Sequence, residues 1–114
     1  MEETGRRAWT LAAARALMSD VRSRTERAVH ESERLFATEG AAPDAAQREA
    51  IAAEVDRIVS RWAREMEALG LEVKGLWLVD FDNGNGYFCW KWPEPELAYF
   101  HGYDEGFAGR SRIQ

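Results

Sequence analysis

At 114 residues, with 46% hydrophobic and 31% charged side chains, the chain has the composition of one ordered globular domain with one modest core, and disorder is excluded. The formal net charge is −5, and residues 71–114 hold two Lys and two Arg against seven acids. No basic stripe exists to neutralise phosphates, which disfavours nucleic-acid partners and attraction to anionic lipid. The single cysteine, Cys89, rules out an internal disulfide and, as an expectation, a cysteine-ligated zinc site of structural type.

Met1–Arg7 lacks the apolar core of a signal peptide, and no apolar run is long enough to span a membrane, so a cytoplasmic protein is expected. Residues 10–39 read as a helix. Thr10 can cap it, with Trp9 before it as a staple against Ala14. Leu11, Ala14, Met18, Val21, Thr25, Ala28, Ser32 and Leu35 form a seam of mostly small side chains. Gly40 supplies a residue that tolerates positive φ at the helix end, and residues 41–43 form a linker. Asp44 and Gln47 make a capping box for a second helix over 44–69. Its apolar face, from Ile51 through Val55, Ile58 and Trp62 to Met66 and Leu69, is stronger than that of the first. Gly70 and Leu71 fit a Schellman stop. The short joining segment predicts an antiparallel hairpin over 10–69.

The composition changes at Leu71, where alanine nearly vanishes and aromatics crowd in. Val73–Phe81 alternates like a strand. Asp82-Asn83-Gly84-Asn85-Gly86 is a hairpin turn, Tyr87–Trp92 a second strand, Pro93–Glu96 a turn, and Leu97–His101 a third strand. The tail from Gly102 reads as loop. The predicted fold is α+β, one domain over 1–114: a two-helix hairpin, then a three-stranded antiparallel meander with a C-terminal loop over 71–114. Tight turns would set Val79, Phe88 and His101 abreast, and likewise Trp77, Trp90 and Tyr99. Cys89 would then lie opposite Phe100, on the face away from His101. Both sheet faces come out largely apolar, and a hairpin covers one of them.

The strings Leu78-Val79-Asp80-Phe81, Tyr87-Phe88-Cys89-Trp90, Glu94-Pro95-Glu96, Ala98-Tyr99-Phe100-His101 and Gly106-Phe107-Ala108-Gly109-Arg110 occur in that order. Together with the helical opening Trp9–Leu17, they resemble the prokaryotic family of domain of unknown function 2203. The similarity covers most of the chain, and its specificity sits in residues 76–110. Phe100 departs from the family pattern, where Trp stands, and Trp92-Pro93 replaces a small-residue turn. The resemblance implies a fold and directs attention to the C-terminal part; it implies no activity.

The chemistry-bearing set is Asp80, His101, Asp104, Glu105 and Arg110, with Asp82 and Cys89 near it. Imidazole beside carboxylate suits acid–base work or a divalent metal, for which His101 and Asp104 are the candidate ligands. The competing reading is structural: His101 closes a strand, and Arg110 pairs with a carboxylate to pin the tail. Strand alternation argues against a Cys89–His101 dyad. The aromatic cluster lacks the cationic groove of a base-stacking platform, and Asp82–Gly86 lacks the later Glu of a calcium loop. The expected function is therefore a non-enzymatic binding protein, without cofactor. It would act as a homodimer through its hairpin and aromatic sheet, and a further protein partner is open. The alternative is a small enzyme or metal-binding protein that uses the His101–Arg110 region.

Overall fold

The computed structural model describes residues 8–37 and 44–114. Two helices, α1 (Leu11–Ala37) and α2 (Ala45–Ala68), precede a five-stranded antiparallel sheet in the order β1-β2-β3-β4-β5. The strands are β1 (Glu72–Gly75), β2 (Leu78–Asp82), β3 (Tyr87–Lys91), β4 (Tyr99–His101) and β5 (Ser111–Arg112). A 3-10 turn, Phe107–Gly109, separates β4 from β5. The expected Gly40 stop, the 41–43 linker and the Met1–Arg7 segment lie outside the described residues. No described helix is long and apolar enough to cross a membrane.

The helix boundaries follow their capping chemistry. Thr10 Oγ1 accepts from the Ala13 backbone N–H at 3.0 Å. Asp44 and Gln47 close a reciprocal capping box, each bond 2.8 Å. At the other end of α2, Gly70 holds φ 97, and the Gly70 and Leu71 N–H groups return to Glu67 and Met66, the Schellman pattern.

The strands depart from expectation in four places. The stretch Val73–Phe81 is two strands. Its chain reverses at Leu76-Trp77, where Trp77 takes φ 56, yet Val73, Val79 and Phe81 keep the alternating pattern across the turn and hide it. The Trp77 ring packs edge-on against Trp62 at 5.0 Å, holding this left-handed residue in place. The β2–β3 loop is Asn83–Gly86, closed by the pair Asp82 and Tyr87. Phe81 rather than Val79 therefore faces Phe88, a shift of two that preserves the faces. The β3–β4 connection is the long segment 92–98, and Phe88 pairs with Phe100 instead of His101. That shift of one exchanges the faces of β4. Finally, the tail is not all loop, because β5 pairs with β4.

One sheet face carries Val79, Phe81 and Trp90 into the core with Val21, Ala28, Ile58, Trp62 and Met66 of the helices. Trp9 joins this core before α1 begins. Its N–H donates to Asp82 O at 2.7 Å, its indole donates to Gly70 O at 3.3 Å, and its ring meets Phe81 edge-on. Along α1, Arg15 donates to Leu97 O and Arg22 to Glu94 O, tying the helix to the β3–β4 connection. The opposite sheet face is not the open apolar surface expected from the sequence: it carries Asp80, Asp82 and His101, all buried.

Candidate metal centre

The sheet assembles this face from its register. Asp80 of β2 pairs directly with Cys89 of β3, and Asp82, Tyr87 and His101 form the next row. Paired residues share a face, so Asp80 and His101 project from the strands that flank β3, with Cys89 between them. Separation of Cys89 from His101, expected from the tight-turn register, is thereby corrected. One ligand atom from each of Asp80, Cys89 and His101 lies within 4.8 Å of the others, and all three residues are buried.

Hydrogen bonding defines the state of the imidazole. His101 Nδ1 lies 2.9 Å from the carbonyl oxygen of Gly102, which can only accept, so Nδ1 carries a hydrogen. His101 Nε2 lies 2.9 Å from Asp80 Oδ2. If Nε2 also carries a proton, the two form a buried imidazolium–carboxylate pair. If it does not, either the Asp80 carboxyl carries the proton and donates to Nε2, or a metal ion stands between two acceptors. The second Asp80 oxygen, Oδ1, is buried without a hydrogen-bond partner among the described residues. Gly86 lets the backbone at the end of β4 approach the start of β3: a Cβ there would stand 2.6 Å from the His101 carbonyl oxygen.

Burial raises the Asp80 carboxyl above its ordinary value, against the lowering effects of the Cys89 thiol, His101 and Lys74. Burial and the neighbouring Asp80 carboxylate push the Cys89 thiol up to about 12, opposed by Arg110. Cys89 is therefore a neutral thiol unless a metal ion displaces its proton.

Two cations edge the cluster, each with a carboxylate of its own. Lys74 Nζ stands 3.7 Å from Asp80 Oδ2 and 3.4 Å from Glu72, and lies over the Tyr87 ring. Arg110 makes a two-pronged pair with Glu94 at 3.1 and 2.8 Å and reaches Cys89 Sγ at 3.9 Å. Its guanidinium lies between the rings of Tyr99 and Phe107, about 4 Å from each centroid. Tyr103 donates to Asp82 at 2.7 Å, so the tail covers this end of the sheet as well.

Of the residues singled out in the sequence, Asp80, His101 and Arg110 thus meet around Cys89. Asp104 is exposed and does not join them, and Glu105 accepts from the Gly102 N–H in the exposed turn. Lys74, Tyr87 and Glu94 belong to the surroundings and were not anticipated. The available signal for Glu94 was its place between two prolines beside an aromatic strand. For the cluster as a whole it was Asp80, a carboxylate inside the apolar run Leu78–Phe81.

The family described as Uncharacterized conserved protein (DUF2203) matches residues 7–113. The chain belongs to this family. The DUF2203 match spans both helices and all five strands, so every residue of the cluster lies within it. No curated protein and no solved structure matches the chain.

Proposed function

We propose that this DUF2203 chain is a non-enzymatic metal-binding protein that holds one divalent transition metal, zinc by the chemistry of the donors, between Asp80, Cys89 and His101. The observation that carries the reading is the confrontation of His101 Nε2 with Asp80 Oδ2 at 2.9 Å, beside a thiol, while Nδ1 is anchored on a backbone carbonyl. Nitrogen, oxygen and sulfur donors in one buried cluster suit zinc, and a carbonyl on the far imidazole nitrogen is the usual support of a ligating histidine. The unsatisfied Oδ1 of Asp80 offers the ion a further oxygen. A cysteine-rich zinc site is impossible in this chain, but a mixed set needs only the one thiol. Charge favours it too: a carboxylate, a thiolate and a neutral imidazole together balance a divalent ion.

A bound ion would be held by Cys89 as its thiolate, by the Asp80 carboxylate and by Nε2 of His101. The metal would tie β2, β3 and β4 together beneath the tail. The full burial of all three donors supports binding rather than turnover of a substrate.

The test is cobalt(II) titration of chain purified without a chelating tag, with elemental analysis of the protein as isolated. One equivalent should produce a thiolate-to-cobalt charge-transfer band, lost in Cys89→Ser and weakened in Asp80→Asn. Metal-free protein should alkylate slowly at neutral pH, with a rate that climbs as pH rises toward about 12, and one equivalent of zinc should block it further. Absence of both the band and bound metal, with the thiol unchanged by zinc, would overturn the reading and leave a purely structural His101–Asp80 pair.

A further inference from the structure

We propose that two copies of this chain associate through the N-terminal half of α2, the helices crossing antiparallel about Ala52. A groove at the far end of the hairpin is lined by Phe36, Arg48, Ile51, Ala52, Val55 and Asp56. Phe36 is 55% exposed, and Ile51 and Val55 are only half-buried. In contrast, α2 buries Ile58, Trp62 and Met66, and every one of its fully buried residues lies in the C-terminal half.

The arrangement of charge says what fits there. Arg48, Ala52 and Asp56 recur every fourth residue, so they follow one face of the helix. Arg48 stands about 6 Å to one side of Ala52 along the axis, and Asp56 about 6 Å to the other. A two-fold axis through Ala52 reverses that order. It sets Arg48 against Asp56 of the partner subunit, and Asp56 against the partner's Arg48. The patch is thus complementary to itself, as an isologous interface must be. The small Ala52 at the crossing lets the helices approach, and Ile51, Val55 and Phe36 supply the apolar contact. Association turns two hairpins into a four-helix bundle, a packing these apolar stripes suit.

This interface is separate from the metal cluster, which lies on the opposite face of the sheet from the helices. Light scattering and sedimentation of the full chain through a dilution series test it. The mass should approach twice 13.0 kDa at high concentration and fall toward 13.0 kDa on dilution. Arg48→Glu should weaken association by about tenfold or more, because it sets two carboxylates together twice per dimer. Combining it with Asp56→Arg should restore association to within a few-fold, a rescue that no general loss of folding could mimic. Cys89→Ser should dimerise as the parent does, which separates this result from the metal reading. A mass of 13.0 kDa at every concentration would overturn the proposal, and so would a dimer indifferent to Arg48→Glu.

Discussion

The two halves of α2 carry the same kind of apolar repeat and meet different surroundings. In the C-terminal half, Trp62 is 1% exposed, its indole donates to Thr25 Oγ1 at 2.8 Å, and its ring meets Trp77 edge-on. Met66 is fully buried, and Ile58 nearly so. In the N-terminal half, Ile51 and Val55 are half-buried and line a groove with Phe36 of α1, and no residue of α2 before Ile58 is fully buried. Periodicity alone marks both halves as core-facing. The Trp92 ring, just beyond β3, meets α1 at His30, whereas the buried residues of α2 begin only at Ile58. An apolar stripe records that a helix face seeks cover, not whether the cover comes from the same chain.

Four substitutions can break or sharpen this contrast, in decreasing order of effect. Trp62→Ala should cost about 3–5 kcal/mol in a chemical melt, because it empties a closed site and leaves Trp77 without its neighbour. A loss under about 1 kcal/mol would erase the difference between the halves. Thr25→Val keeps the shape but leaves the buried Trp62 indole N–H without its acceptor, at about 1–3 kcal/mol. Matched melts of Thr25→Val and Thr25→Ser should show that the hydroxyl, not the methyl, carries most of it. Asp44→Ala removes the capping box of the exposed half and should cost about 1 kcal/mol, with helicity lost from the first turn by circular dichroism. Val55→Ala should change stability by less than about 1 kcal/mol in a chemical melt at low protein concentration. A cost as large as that of Trp62→Ala would show that the outer half has an intramolecular cover after all.

How much of the molecule could be read in advance follows the range of the interactions. Caps are local, so Thr10, Asp44 with Gln47, and Gly70 with Leu71 were legible as helix signals, and the helix boundaries followed them. The Leu76-Trp77 reversal was not legible, because a bulky residue with positive φ leaves no Gly or Asn to mark it. The candidate site depended on one parity. Residues 92–98 can return the chain to the sheet with β4 in either phase, and no pattern within β4 chooses, since Tyr99, Phe100 and His101 suit either face. A slip of one residue therefore hid the meeting of Cys89 with His101. Asp80 was visible as an odd carboxylate in an apolar strand. Lys74 and Glu94 come to the cluster through the β1–β2 reversal and the long connection, the two features that sequence pattern resolved least.

The aromatic contacts have an optical consequence. Trp62 and Trp77 stand 5.0 Å apart with their ring planes at 78°, one on α2 and the other at the β1–β2 reversal. Trp90 and Trp92 form a second pair, 6.4 Å apart at 75°, at the end of β3. Indoles this close couple their electronic transitions, and the sign and size of the resulting circular dichroism follow their mutual orientation. The first pair reads whether the helix rests on the strands. The second sits at the end of β3 beside His30 and Arg22 of α1 and contains no residue of α2. A state that kept its sheet while α2 swung away would extinguish one signature and retain the other. The chain thus carries an intrinsic two-channel gauge of its own assembly, with no label attached.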